Sequence, residues 1–208
     1  MEIVTRFGSS VIVPAGKNVW IDDDFGEINH IEISAGSSAT HIRKNASQLI
    51  GIVRGSYNLD LNISHGVNNV EIFLEGEGAQ VTVKELLVAD SGEEISSKNV
   101  ITINASDCKV TQNCKIVSIS SKVEWAGRLK ISENANNTDA SQLVKALPLK
   151  GGLVILNPIL DILNRNVKVK HGAVILKDFG DAEKLFLRNR GISDDKVDDI
   201  LLRGFISS

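Results

Sequence analysis

The sequence predicts a mainly β chain, a stack of short strands closed by a C-terminal α-helical hairpin. Three observations carry this. Short runs of Val, Ile and Leu recur every ~8–12 residues between turn residues, the spacing of a sandwich, barrel or solenoid. Aromatics make up only 4% of the 208 residues, so the core is aliphatic, and 17 Gly against 3 Pro favour strands joined by tight turns over helix bundles. After Ile175 the apolar period changes from two to that of a helix.

The strand runs follow in order. Val11–Val13 leads into Pro14-Ala15-Gly16, and Val19–Ile21 into Asp22-Asp23-Asp24. Ile31 and Ile33 precede Ala35-Gly36-Ser37-Ser38, Leu49–Val53 precedes Gly55-Ser56, and Leu59–Ile63 precedes His65-Gly66. Val70, Ile72 and Leu74 alternate up to the Gly76-Glu77-Gly78 turn, and Val81–Val88, Val100–Ile103, Lys115–Ile119, Lys122–Trp125 and Leu129–Ile131 complete the series. Two-residue Asn-Gly or Asp-Gly hairpin turns are scarce. Turns of the Gly-Ser-Ser and Gly-Glu-Gly kind suit the coils of a parallel β-helix, each burying its aliphatics on the coil below.

Residues 1–176 are therefore expected to form the β core and 177–208 a helical segment. Asp181 is read as an N-cap, with Ala182, Leu185, Phe186 and Asn189 at helical spacing, Arg188 and Arg190 in the last turn and Gly191 as the stop. Ser193 caps a second helix whose first turn carries Asp194 and Asp195. Val197, Ile200 and Leu201 form its apolar face and Gly204 is expected to end it.

Charge and motifs narrow the function. The net charge is −3 with no block of like charges, which argues against a nucleic-acid partner. Met1–Arg6 lacks an apolar leader, and Gly151–Leu163 is interrupted by Asn157 and Pro158 before it could span a membrane. The expectation is a cytoplasmic protein without a membrane partner. The sequence has no Gly-x-x-x-x-Gly-Lys-Ser/Thr, Gly-x-Ser-x-Gly or His-Glu-x-x-His, so no catalytic activity is expected. Cys108 and Cys114 are too few and wrongly spaced for a disulfide framework or zinc knuckle. His30, His41 and His65 read as surface or satisfied residues, and Asp22–Asp24 as a solvated turn rather than a hard-cation site. In Val167-Lys168-Val169-Lys170-His171, alternation puts His171 on the face of Val167 and Val169, with both lysines opposite. Such a histidine is either packed in the core or placed at an interface.

Several segments fall, in order along the chain, on the motifs of a known family. Leu74-Glu75-Gly76-Glu77-Gly78-Ala79 fits an L-x-G-x-G-A turn, Trp125-Ala126-Gly127-Arg128-Leu129-Lys130-Ile131 an F-x-G-x-I-x-V coil, and Thr138-Asp139-Ala140-Ser141-Gln142 the T-D-A-x-Q after it. Pro158–Ile162 resembles P-x-L-E-I. Asn164–Ala173 is similar to the signature D-D-V-K-C-S-H-G-A-T, Glu183–Ser193 to L-F-Y-L-R-S-R-G-I, and Leu201–Phe205 to a closing helix. Together these segments resemble the SufB/SufD proteins of iron–sulfur cluster assembly, the signature being that of SufD. The resemblance implies a right-handed parallel β-helix with a C-terminal helical segment that docks a SufC-type ABC ATPase, while the β-helix pairs with a SufB-like protein or a second copy.

Carried over by position, Leu185, Phe186, Arg188, Arg190, Ile200, Leu201 and Phe205 fall in the ATPase-docking segment. His171 falls on the histidine associated with cluster formation, the candidate cofactor-binding and metal residue. ATP is expected only through the partner ATPase, and an iron–sulfur cluster only transiently. The departures are informative. Val169 stands where the signature has Cys, Ala146 lies near the position of the SufB cysteine that receives sulfur, and Gly172 follows the histidine as in SufD. The N-terminal helical region of longer family members has no counterpart. The expectation is a short SufD-like scaffold subunit, with Cys108 and Cys114 unassigned. The competing expectation is a self-assembling β-solenoid without cluster chemistry.

Overall fold

The computed structural model describes residues 5–207, so the reading of the extreme N-terminus falls partly outside the described residues, at Met1–Val4. The strands are β1 (Thr5–Phe7), β2 (Ser10–Val13), β3 (Asn18–Asp23), β4 (His30–Ile33), β5 (Ser38–Arg43), β6 (Gln48–Val53), β7 (Ser56–Ile63) and β8 (Gly66–Leu74). They continue as β9 (Gln80–Asp90), β10 (Glu94–Ile103), β11 (Lys109–Ile119), β12 (Lys122–Ile131), β13 (Thr138–Leu149), β14 (Leu153–Ile162) and β15 (Val167–Ile175). Helices α1 (Asp181–Arg188) and α2 (Asp194–Ser207) follow.

From β2 onward the strands alternate between two sheets. One sheet runs β1-β2-β4-β6-β8-β10-β12-β14, and the other β15-β13-β11-β9-β7-β5-β3. All neighbours are parallel except β1 on β2. Each coil thus gives one strand to each sheet, the topology of a flattened parallel β-helix. Period-two alternation drives it: in β12, Val123, Trp125, Leu129 and Ile131 are buried while Glu124, Arg128 and Lys130 are not. The inward residues of both sheets form one aliphatic core.

The stack tapers. Ser10 lies opposite His30, twenty residues on, whereas Lys122 lies opposite Leu153, thirty-one residues on. Strands lengthen accordingly, from 4 residues in β2 to 12 in β13. At the corners the coils close in on each other: a Cβ on Gly152 would stand 2.1 Å from the Ser118 carbonyl oxygen, so only glycine fits. Asn164 secures another corner, donating to the Glu133 carbonyl (2.6 Å) and to Asn136 Oδ1 (3.1 Å).

Several expectations are corrected. Lys122–Trp125 and Leu129–Ile131 are one strand, because inward Gly127 keeps the alternation in phase. Ser38, read as a turn residue, opens β5, whose apolar content is too low to show as a run. Pro158 lies within β14, where its missing N–H is tolerated on an edge strand. Gly180 rather than Asp181 is the α1 N-cap; its carbonyl accepts the first helical bond from Lys184 N–H, and Asp181 sits in the first turn. Gly204 does not end α2, which runs to Ser207, since one interior glycine costs a helix only ~1 kcal/mol. Gly191 does stop α1, at φ +80°, with Ile192 N–H bonded to the Leu187 carbonyl.

The acidic turn is not simply solvated. Asp23 is buried at the narrow end and accepts bonds from the Glu27 and Ile28 N–H groups (2.8 and 3.2 Å). His41, fully buried, lies between the Asp23 carboxylate (3.4 Å) and the Tyr57 hydroxyl (2.8 Å). Arg43 Nε is 3.4 Å from Asp23, and its guanidinium donates to the carbonyls of Gly26 (3.0 Å) and Ile28 (2.8 Å) and to Ser47 Oγ.

Candidate functional site

The wide end of the stack is open. β14 and β15 each have a neighbour on one side only, leaving two long rows of backbone N–H and C=O groups unpaired by strands. The inward row of β15 is Val167, Val169, His171, Ala173 and Ile175, since these align with buried Thr138, Ala140, Gln142, Val144 and Ala146 of β13. Alternation therefore places His171 on the core-facing row, as expected, but no coil lies above it and its side chain is exposed. Ile162, Leu163 and Ile175 are exposed at the same end. The helical hairpin does not cover this end. Val169 is half-buried beside His171, and Ala146 is fully buried one coil below.

Behind His171 the core is unexpectedly polar. Its row continues inward as Gln142 and Gln112, both fully buried, with Gln142 Nε2 donating to Gln112 Oε1 at 2.9 Å. Deeper still, Glu85 accepts hydrogen bonds from Trp125 Nε1 (2.6 Å), Asn99 Nδ2 (2.8 Å) and the Ser97 hydroxyl, and Cys114 also bonds to it. Burial pushes the Glu85 carboxyl above its ordinary range despite these donors. Burial together with the neighbouring Glu85 pushes the Cys114 thiol up as well. Cys108 is buried against the Gly76 and Ser106 carbonyls (3.5 Å each), and the two cysteines are not joined. Both thiols are thus protonated and enclosed, the opposite of a reactive thiolate.

Gly127 makes this cluster possible. A Cβ there would stand 2.2 Å from the Trp125 ring and 2.8 Å from Gln142 Nε2. Gly127→Ala is therefore expected to cost about 1–3 kcal/mol by overpacking. Urea denaturation checks it, and an unchanged midpoint would show that the indole has room to move.

The hairpin presents a second surface. α1 buries none of its residues, and Leu185 and Phe186 are 56% and 55% exposed. A cavity of about 690 Å³ opens between the helices, lined among others by Phe179, Phe186, Leu187, Ile200, Leu201 and Phe205. Leu185 lies outside that lining. Arg188 is engaged by Asp194 (2.6 Å), and the Arg190 guanidinium stacks on the Phe186 ring at 3.4 Å. The candidate residues thus separate into His171 at the open end and the remainder on the hairpin.

Residues 23–205 match the family described as SUF system FeS cluster assembly, SufBD core domain. The chain belongs to the SufBD core family. An iron–sulfur cluster assembly SufBD family protein of Mycobacterium leprae is 25% identical over 146 residues, 66% of this chain and 37% of that protein. The chloroplastic protein ABCI7 of Arabidopsis thaliana is 24% identical over 127 residues, 61% of this chain and 26% of that protein. Each alignment spans well under half of the relative it matches. The SufBD core family is described as one of iron–sulfur cluster assembly in the SUF system.

The polar residues of the core are not among the candidates read from the sequence, although the sequence carries their signal. Gln112 lies on the inward phase between Val110 and Cys114, and Asn99 on the phase of Ile101 and Ile103. Polar residues at core-facing positions mark a site or a specific network. Among the described residues, no three His, Cys, Asp or Glu side chains gather to hold a metal, and no helix is long and apolar enough to cross a membrane.

Proposed function

We propose that this chain is a non-catalytic, SufD-like scaffold subunit that pairs through the wide end of its β stack and docks a SufC-type ATPase on its hairpin. The open final coil carries the reading. It combines unpaired strand edges with uncovered core-facing residues, which are paired or covered where a monomer is complete. The other protomer is a SufB-like protein or a second copy, whose equally wide coil would extend both sheets. A cluster needs thiolate or imidazole ligands. This chain offers His171 at the open end, so a cluster built there takes its other ligands from the facing protomer.

The taper speaks against the competing self-assembling solenoid. End-to-end stacking would set the 10-residue β14 against a narrow end where antiparallel β1, of 3 residues, borders the sheet. Pairing wide end to wide end matches the strand lengths.

Ala173→Asp places a charge in the inward row of β15 and is expected to abolish pairing, read by light-scattering mass of the chain alone and with a SufB-like protein. Phe186→Ala and Ile200→Ala together are expected to weaken ATPase binding at least tenfold, through the loss of two anchors in one groove. ATPase retention by that double variant would overturn the docking assignment. Equal assembly by Ala173→Asp and wild type would overturn the pairing.

A further inference from the structure

The hairpin meets the β body at the last turn of α2, over the outer face of the second sheet. Lys115, pointing outward from β11, donates from Nζ to the Ile206 carbonyl at 3.2 Å. The same ammonium lies 6.0 Å from the centre of the Phe205 ring. A helix leaves its last carbonyls without intrahelical partners, and a cation supplied by another element is a natural cap for them. The contact is loosely packed: a cavity of about 580 Å³ lies between Ile206, Ser207 and the sheet, with Leu86, Asn113, Leu143 and Lys145 among its walls. Leu143 remains exposed there. The connection is slender too, because the ladder ends with Leu176 N–H on the Ala146 carbonyl and α1 begins only at Asp181.

Phe205 belongs to both surfaces. It lines the groove between α1 and α2 and also lies beside Lys115. The same ring thus borders both the interhelical groove and the contact with the sheet.

We infer that Lys115 is a latch that holds the hairpin in one orientation against the outer face of the second sheet. In the latched state the last turn of α2 is capped by Lys115 and the hairpin has one orientation. In the released state the hairpin swings on residues 177–180, and Lys115 joins Lys145, its register neighbour on β13, at the surface.

The test uses the full chain alone, so its failure leaves ATPase docking untouched, and failed docking leaves the latch untouched. Dyes attached through Asn58→Cys and Lys196→Cys report the distance between the sheet face and α2, native Cys108 and Cys114 being buried. Wild-type Lys115 is expected to give one narrow distance distribution. Lys115→Met, which keeps the stem and removes the donor, should broaden it, and Lys115→Arg should keep it narrow. Amide exchange at residues 203–207 should speed up on the order of tenfold in Lys115→Met, through loss of the charge-assisted bond to the Ile206 carbonyl. An unchanged distribution in Lys115→Met would overturn the latch. So would equal broadening in Lys115→Arg, since shape rather than donation would then hold the hairpin.

Discussion

Replacing Arg43 by alanine is expected to lower the unfolding free energy by about 3–5 kcal/mol, the cost of stranding a buried charge. In a chain of this length that corresponds to a drop of roughly 10 °C in the melting temperature. The guanidinium is fully buried, binds the Gly26 and Ile28 carbonyls and faces the Asp23 carboxylate. Its removal frees the turn after β3 and leaves Asp23 charged in the narrowest part of the core. Burial alone would raise the Asp23 carboxyl, but His41, the Glu27 and Ile28 amides and Arg43 together hold it below 3.8. The unfolded chain therefore takes up this proton first as the pH falls. The stabilisation is complete above pH 3.8 and is lost as the pH falls through the depressed folded value. Denaturant melts across that range should show the slope in wild type and not in Asp23→Asn. Combining Asp23→Asn with Arg43→Met should recover part of the loss, because no unpaired charge remains. Strict additivity of the two single effects would mean that the residues act independently.

Glu85 should produce the opposite pH dependence. Its folded carboxyl is raised above 4.5, so between 4.5 and the folded value the native state keeps a proton that the unfolded chain has released. Stability is then greatest below pH 4.5 and declines as pH rises, by about 1.4 kcal/mol per pH unit until the folded carboxyl ionises. The surroundings can accept that proton. Asn68 Oδ1 and Asn99 Oδ1 are buried without a partner, and turning the Asn99 amide would bring its oxygen to the Glu85 hydroxyl. Glu85→Gln is expected to flatten the decline while keeping the shape of the site. Urea melts of both proteins from pH 5 to 8 check it, and parallel slopes would assign the proton elsewhere.

Much of the architecture was legible from period-two alternation. The inward phase of Val167, Val169 and His171 follows from it, and the change to a helical period after Ile175 marks the two helices with Gly191 between them. Alternation specifies which face a side chain takes, not what covers that face. His171 is correctly phased yet exposed, because its coil is the last. The short narrow-end strand β5 does not show as an apolar run, because its inward row is Ala39, His41 and Arg43. His41 and Arg43 look like surface residues until Asp23 and Tyr57, from neighbouring coils, are brought against them.

The sequence by itself determined the series of short aliphatic strands, the helical close and, through ordered motifs, the coiled arrangement and the SufBD family. Those properties rest on local period and turn chemistry, which neighbouring residues carry. Only the tertiary structure decided that the stack tapers, that its wide end is open, that the core holds the Glu85 and Gln142 clusters, and that Lys115 touches α2. Each of these joins residues one or more coils apart, so each depends on register between strands. A shift of one residue in that register would send every side chain of a strand to the opposite face.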